Sequence, residues 1–242
     1  MNQADFLQAL QIAQSRVRGG IGTLSEKSVH AVLKAAYEPH TENHELSVGG
    51  YVADIVGQNG IIEIQTRELW RLKEKLRAFL DVCEVTVVYP VSVTEWICRT
   101  DPDTGEMIRR KSPRHGQAAD ILPQLYGIRD FLKNPGLHLR VVLLETERYD
   151  IGKLRGKRKK LDRIPLNFLG EIELDHASDY EQLFPVGLPE KFTALEYSRA
   201  AGCRLGDARM ALSVLCALGL AEQAGKSGRK NLYRFLSPSK NN

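Results

Sequence analysis

The spacing of apolar positions along the chain changes several times, and each change predicts a new element. Residues 4–15 carry apolar side chains at helical spacing, and Gly19-Gly20-Ile21-Gly22 ends that helix. A second helix is predicted from Ser25, a good cap, to Tyr37, with Val29, Val32, Leu33 and Ala36 on its apolar face. Residues 39–43 read as a loop and 44–48 as a first strand. The β-branched runs 51–56 and 61–66 flank Gly57-Gln58-Asn59-Gly60, which predicts a β-hairpin. Leu69, Leu72, Leu76, Phe79 and Leu80 then predict a helix over 68–80. Residues 82–91 are almost continuously apolar, as in a strand covered on both faces. Residues 93–99 and 106–110 predict a second hairpin around Pro102-Asp103-Thr104-Gly105, 118–132 a helix, and 137–146 another buried strand. This order predicts an α/β core with a mixed sheet flanked by helices.

Residues 175–189, with Pro185 and Pro189, mark a domain boundary. Beyond it come a short helix at 193–200, a turn at Gly202, and a helix at 205–218 with Ala208, Leu212, Leu215 and Leu218 on one face. A strand, the loop 225–230 and a returning strand at 232–236 follow. The pattern reads as a small C-terminal winged helix-turn-helix, which divides the chain into domains at 1–175 and 188–236. Its candidate nucleic-acid contacts are Arg204 and Arg209 around the second helix and Lys226, Arg229 and Lys230 in the wing. The other role for such a unit is protein contact, including a homodimer.

Charge sharpens this picture. The 242 residues carry a formal net charge of only +4, but Lys153 to Arg163 holds seven Lys/Arg and one Asp. Within that block Lys157, Arg158, Lys159 and Lys160 are candidate phosphate contacts. No apolar run is long enough to span a bilayer, and the polar N-terminus does not read as a signal peptide. The four cysteines (Cys83, Cys98, Cys203 and Cys216) lack metal-ligand spacing and read as free thiols, which places the protein in a reducing cytoplasm.

The candidate chemistry lies in the first hairpin. A two-residue Asn-Gly loop pairs Asp54 with Gln65, and a four-residue loop pairs it with Glu63. Both registers put Asp54 on the face shared by Glu63 and Gln65. Carboxylates so close repel one another unless a cation compensates, and hard oxygen ligands suit Mg²⁺ or Mn²⁺. His30 follows Glu26 by four residues, on the same face of the second helix, and His44 and Glu45 precede the hairpin.

An acid on a helix, then Asp, then Glu-x-Gln on a hairpin resembles the PD-(D/E)xK nuclease superfamily. The matching residues are Glu26, Asp54, Glu63 and Gln65, and the resemblance covers roughly residues 20 to 146. The following helix, with Lys73 and Lys75, and the buried strand 82–90 fit the order of that family's core. Two departures stand out: Gln65 replaces the family's lysine, and Ala53 replaces the proline before the Asp. The resemblance implies a restriction-endonuclease-like fold and Mg²⁺- or Mn²⁺-dependent hydrolysis of phosphodiester bonds, with double-stranded DNA the expected substrate. It also implies metal ligation by Asp54, Glu63, the backbone carbonyl of Ile64, and Glu26. Gln65 would hold the attacking water, and either His30 or His44 would stand near the phosphate or the water. The alternative expectation is a non-catalytic, regulatory DNA-binding protein with a degenerate nuclease fold.

Overall fold

A computed structural model describes residues 1–18, 28–152 and 159–236. The chain divides into two compact units. The first comprises Met1–Thr66, Thr86–Gln117 and Arg140–Ile172; the second comprises Arg67–Val85, Ala118–Leu139 and Glu173–Asn242. Among the described residues, no helix is long and apolar enough to cross a membrane.

The first unit is α/β. Its helices are α1 (Gln3–Arg18) and α2 (Ser28–Tyr37). Its strands are β1 (His44–Val48), β2 (Tyr51–Gly57), β3 (Gly60–Ile64), β4 (Val85–Thr100), β5 (Met107–Lys111), β6 (Leu137–Ile151) and β7 (Lys159–Leu174). They form a seven-stranded mixed sheet in the order β1-β2-β3-β4-β6-β7, with β5 paired to β4. Val29, Val32, Leu33 and Ala36 are buried, as their helical spacing predicts. They pack with Phe6 and Leu10 of α1 against Ile55, Ile64, Val88, Val142 and Leu144.

Helix α2 touches strands far apart in the sheet order. Ser28 donates from its hydroxyl to Asp162 of β7, and the Tyr37 hydroxyl donates to Glu171 of the same strand. From the same helix His30 meets Asp54 of β2, and Lys34 meets Glu45 of β1. Four strand spacings would separate β2 from β7 by about 19 Å in a flat sheet, wider than the roughly 10–12 Å diameter of a helix. Long side chains such as Tyr37 and Glu171 help α2 to contact both flanks of the sheet.

Two sequence expectations need adjustment here. The apolar run does not stop at Val91, because β4 continues through Pro90 to Thr100 as one strand of 16 residues. Its distal half pairs with β5, Trp96 opposite Lys111 and Thr100 opposite Met107. The basic block 153–163, for which the pattern predicts no element, holds the start of a 16-residue strand, β7.

The second unit is mainly helical. It contains α3 (Lys73–Leu80), α4 (Leu122–Leu125), α5 (Ala194–Ala200) and α6 (Leu205–Leu218), with 3₁₀ turns at Leu69–Leu72, Ala118–Ile121, Tyr126–Phe131 and Ala177–Leu183. The helix expected over 118–132 is thus broken into short pieces, with Pro123 in the first turn of α4. A three-stranded sheet orders β8 (Phe192–Thr193), β10 (Lys230–Phe235) and β9 (Ala221–Ser227). Thr193 and Glu196 cap α5 reciprocally: Thr193 N–H donates to Glu196 Oε2 at 2.7 Å, and Glu196 N–H to Thr193 Oγ1 at 3.3 Å. Gly219, at φ 79°, ends α6 in the left-handed region. Ala208, Leu212, Leu215 and Leu218 are buried, and α6 packs on α4 and α5.

Candidate functional site

The hairpin closes on Gln58-Asn59. Gly57 pairs with Gly60, Val56 with Ile61 and Ile55 with Ile62. Gly60 takes φ 110°, which a side chain would oppose. Extended by one residue, this register sets Asp54 opposite Glu63, and there the regular ladder gives way. Ile64 N–H donates to Asp54 Oδ2 at 2.8 Å, and Asp54 N–H donates to Glu63 Oε1 at 3.3 Å. Each carboxylate thus takes an amide of the opposite strand, in bonds strengthened by its charge. Glu63 is only 2% exposed and Ile64 is buried beside it. Beyond the fork, Gln65 N–H donates to the Val88 carbonyl of β4 at 3.0 Å, which keeps β3 in the sheet. The Gln65 side chain is half-buried.

Strand β1 extends the row. His44 pairs with Ile55 and Leu46 with Ala53, so the register brings Glu45 opposite Asp54. Glu45 itself sits at φ 55°, an uncommon conformation for a residue with a side chain. Glu45, Asp54 and Glu63 thus occupy matched register positions on three neighbouring strands. Helix α2 answers with two nitrogen side chains one turn apart. His30 Nε2 lies 3.2 Å from Asp54 Oδ2, and Lys34 Nζ donates to Glu45 Oε1 at 2.8 Å. Lys34 is 6% exposed. Sequence reasoning passed over it, although its place four residues after His30 was the available signal. His44 instead meets the Glu38 backbone carbonyl through Nε2 at 2.8 Å.

As a metal site this donor set is small. Among the described residues, no group of three or more His, Cys, Asp or Glu side chains is placed to hold a metal ion. Asp54 and Glu63 remain as a pair of adjacent carboxylates. That suits Mg²⁺, which typically takes one or two protein carboxylates and keeps several waters. Glu26, Lys157 and Arg158 lie outside the described residues.

The other expected contacts are on the surface. Lys159 and Lys160 are exposed at the start of β7. Arg204, immediately before α6, and Arg209 within it are exposed, as are Lys226, Arg229 and Lys230 around the β9–β10 turn.

A second group of charges, unmarked by any sequence motif, occupies the distal halves of β4 and β6. Arg148 binds Glu95 at 2.7 Å and Asp150 at 3.1 Å, and Arg163 reaches Glu95 at 3.0 Å. Nearby, Arg109 lies over the Trp96 ring at 3.9 Å and donates to Glu147 at 2.5 Å. Trp96 Nε1–H donates to Glu145 at 2.7 Å, which with an Asn167 amide holds that carboxyl below its usual range. The Tyr149 hydroxyl donates to Glu147 at 2.5 Å, and this bond, aided by burial, pushes the phenol up to about 12. These ion pairs and hydrogen bonds link β4, β5, β6 and β7.

Comparison with known proteins gives a family. The family described as "Domain of unknown function (DUF8091)" matches residues 27–175. That span takes in α2, the hairpin and the long strands. A protein of Treponema pallidum (strain Nichols), described as "Uncharacterized protein", is 32% identical over 228 residues, covering 91% of this chain and 90% of the relative. No solved structure matches. The chain belongs to the DUF8091 family.

Proposed function

We propose that this member of the DUF8091 family is a cytoplasmic, metal-dependent nuclease that hydrolyses phosphodiester bonds in DNA. The observation that carries this reading is the fork between β2 and β3. Two carboxylates are locked together there by backbone amides, Ile64 N–H to Asp54 and Asp54 N–H to Glu63. Mutual repulsion makes such a pair costly unless a cation joins it.

Asp54 and Glu63, with the Ile64 backbone carbonyl, would hold Mg²⁺ or Mn²⁺. The ion supplies charge neutralisation at the phosphate oxygens and acidity to water. The chain's own groups do the rest. An ionised Asp54 only accepts hydrogen bonds, so His30 donates to it from Nε2–H, which fixes both the ring and the carboxylate. Gln65 orients the attacking water through its amide but is too weak a base to take the proton.

Residues 188–236 serve as a winged helix that holds the DNA. Support comes from the order strand, helix, turn, helix, hairpin, and from the exposed Arg204, Arg209, Lys226, Arg229 and Lys230. Glutamine in place of lysine at position 65 favours a second reading, a DNA-binding protein without catalysis.

Calorimetric titration of the full chain with Mn²⁺ tests the metal site. The wild type should bind, and Asp54→Ala and Glu63→Ala should each lose most of the affinity. A wild type that takes up no Mn²⁺ in the presence or absence of DNA would remove the nuclease reading and leave the second one.

A further inference from the structure

The second unit exposes two large aromatic rings on adjoining turns. Trp70, in the 3₁₀ turn 69–72, is 57% exposed, and Tyr126, which opens the turn 126–131, is 41% exposed. The two turns are built against each other at Gly127. A Cβ at that position would lie 2.4 Å from Trp70 Cβ and 2.9 Å from its Cα, so only glycine permits this approach. Each ring carries an arginine. The Arg71 guanidinium lies 5.4 Å from the Trp70 centroid, and that of Arg129 lies 4.5 Å from the Tyr126 centroid. Arg129 also donates to Ser213 Oγ of α6 at 3.3 Å, which ties the platform to that helix.

A tryptophan more than half exposed leaves apolar area in water that folding alone does not require. Residues 67–77 and 126–133 together hold seven Lys/Arg against three Asp/Glu, a net positive excess even with those acids paired to Arg71, Arg77 and Arg129. Flat aromatic faces, guanidinium planes and excess positive charge together fit unpaired nucleobases on a phosphate backbone, because every base offers a π-face and every nucleotide an anion. We propose that Trp70 and Tyr126, framed by Arg71 and Arg129, form a stacking platform for single-stranded nucleic acid. The inference rests on the nucleic-acid partner of the proposed function, but not on its chemistry. It assigns the protein a substrate with exposed bases, such as a single-stranded tail, gap or junction. A plain duplex lacks these.

The full chain has two tryptophans, Trp70 and Trp96, so intrinsic fluorescence can report stacking. The probes are a 20-nucleotide single-stranded DNA and the blunt duplex of the same sequence, titrated in EDTA so that no cleavage intervenes. Single strand should quench the wild type, and the quench should vanish in Trp70→Ala. By anisotropy, Trp70→Ala and Tyr126→Ala should each weaken single-strand binding roughly tenfold and change duplex binding much less. Both side chains are exposed, so the variants should keep the wild-type melting temperature, which is measured alongside. Unchanged single-strand affinity in both variants overturns the platform while leaving the nuclease reading intact. Equal losses for single strand and duplex overturn the preference for unpaired bases. Loss of self-association in Trp70→Ala with unchanged DNA affinity assigns the patch to a second copy of the chain, which also overturns the proposal. A wild type that binds neither probe overturns both this inference and the DNA-binding part of the proposed function.

Discussion

His30 Nε2 lies 3.2 Å from Asp54 Oδ2, so a helix side chain braces the carboxylate at the fork of the hairpin. The pair spans 24 residues of sequence and joins α2 to β2. Bracing partners of metal-binding side chains typically contribute ten- to a hundredfold in affinity or activity. His30→Ala should therefore lower Mn²⁺ affinity and the cleavage rate by roughly that factor, and His30→Gln, which still offers an N–H donor, should recover part of both. A His30→Ala protein with wild-type metal affinity would show that the contact is only packing.

Divalent metal should stabilise the native state. An ion bound only by the folded protein contributes about 2.7 kcal/mol at a hundredfold excess over its Kd. Thermal melts of the wild type in Mg²⁺ or Mn²⁺ should show a clear rise in Tm, whereas Asp54→Ala should show little. Equal shifts in the two proteins would place the effect elsewhere.

Salt dependence should expose the basic segment. Replacing Lys157, Arg158, Lys159 and Lys160 with neutral residues removes up to four phosphate contacts, and each lost contact flattens the slope of log affinity against log salt by about 0.9 on duplex DNA. Fluorescence anisotropy across a salt series measures this slope. An unchanged slope would return the segment to the solvent.

At high pH the network around Glu147 should weaken. The Tyr149 phenol is pushed up to about 12 by its hydrogen bond to Glu147, above the ordinary value of 10. A raised pKa means that the folded state holds this proton more tightly than the unfolded chain. The resulting stability is complete below pH 10 and is lost as pH rises toward 12. Denaturant unfolding across that window should show a steeper decline for the wild type than for Tyr149→Phe. Parallel declines would contradict the assignment.

Much of the site was legible in the sequence, because local rules governed it. Period-two alternation and the Gly-Gln-Asn-Gly turn located the hairpin, and both registers considered there place Asp54 beside its acidic neighbours. The observed pairing of Val56 with Ile61 corresponds to the Glu63 alternative. The unread features depend on contacts between distant segments. Lys34 looks like an ordinary polar position on α2 until the fold brings Glu45 of β1 to it. Strand β7 opens with Lys159 and Lys160, whose charge conceals the pairing with β6. Helical spacing set Leu69 with Leu72 and Leu76 on the buried face and left Trp70 off it, and Leu69 is indeed buried and Trp70 exposed. What spacing could not show is that Gly127, far along the chain, packs against Trp70.

The central claim is that Asp54 and Glu63 form the metal-dependent catalytic centre of a nuclease. The most direct measurement is nicking of supercoiled plasmid by purified full-length protein in Mn²⁺, with Glu63→Ala prepared in parallel and EDTA as the metal-free arm. The expected result is conversion of supercoiled to open-circular DNA by the wild type, none in EDTA, and a loss of at least about a hundredfold in Glu63→Ala, as when a group needed in the transition state is removed. Equal nicking by wild type and Glu63→Ala, or none by the wild type under conditions where it binds both DNA and Mn²⁺, would contradict it.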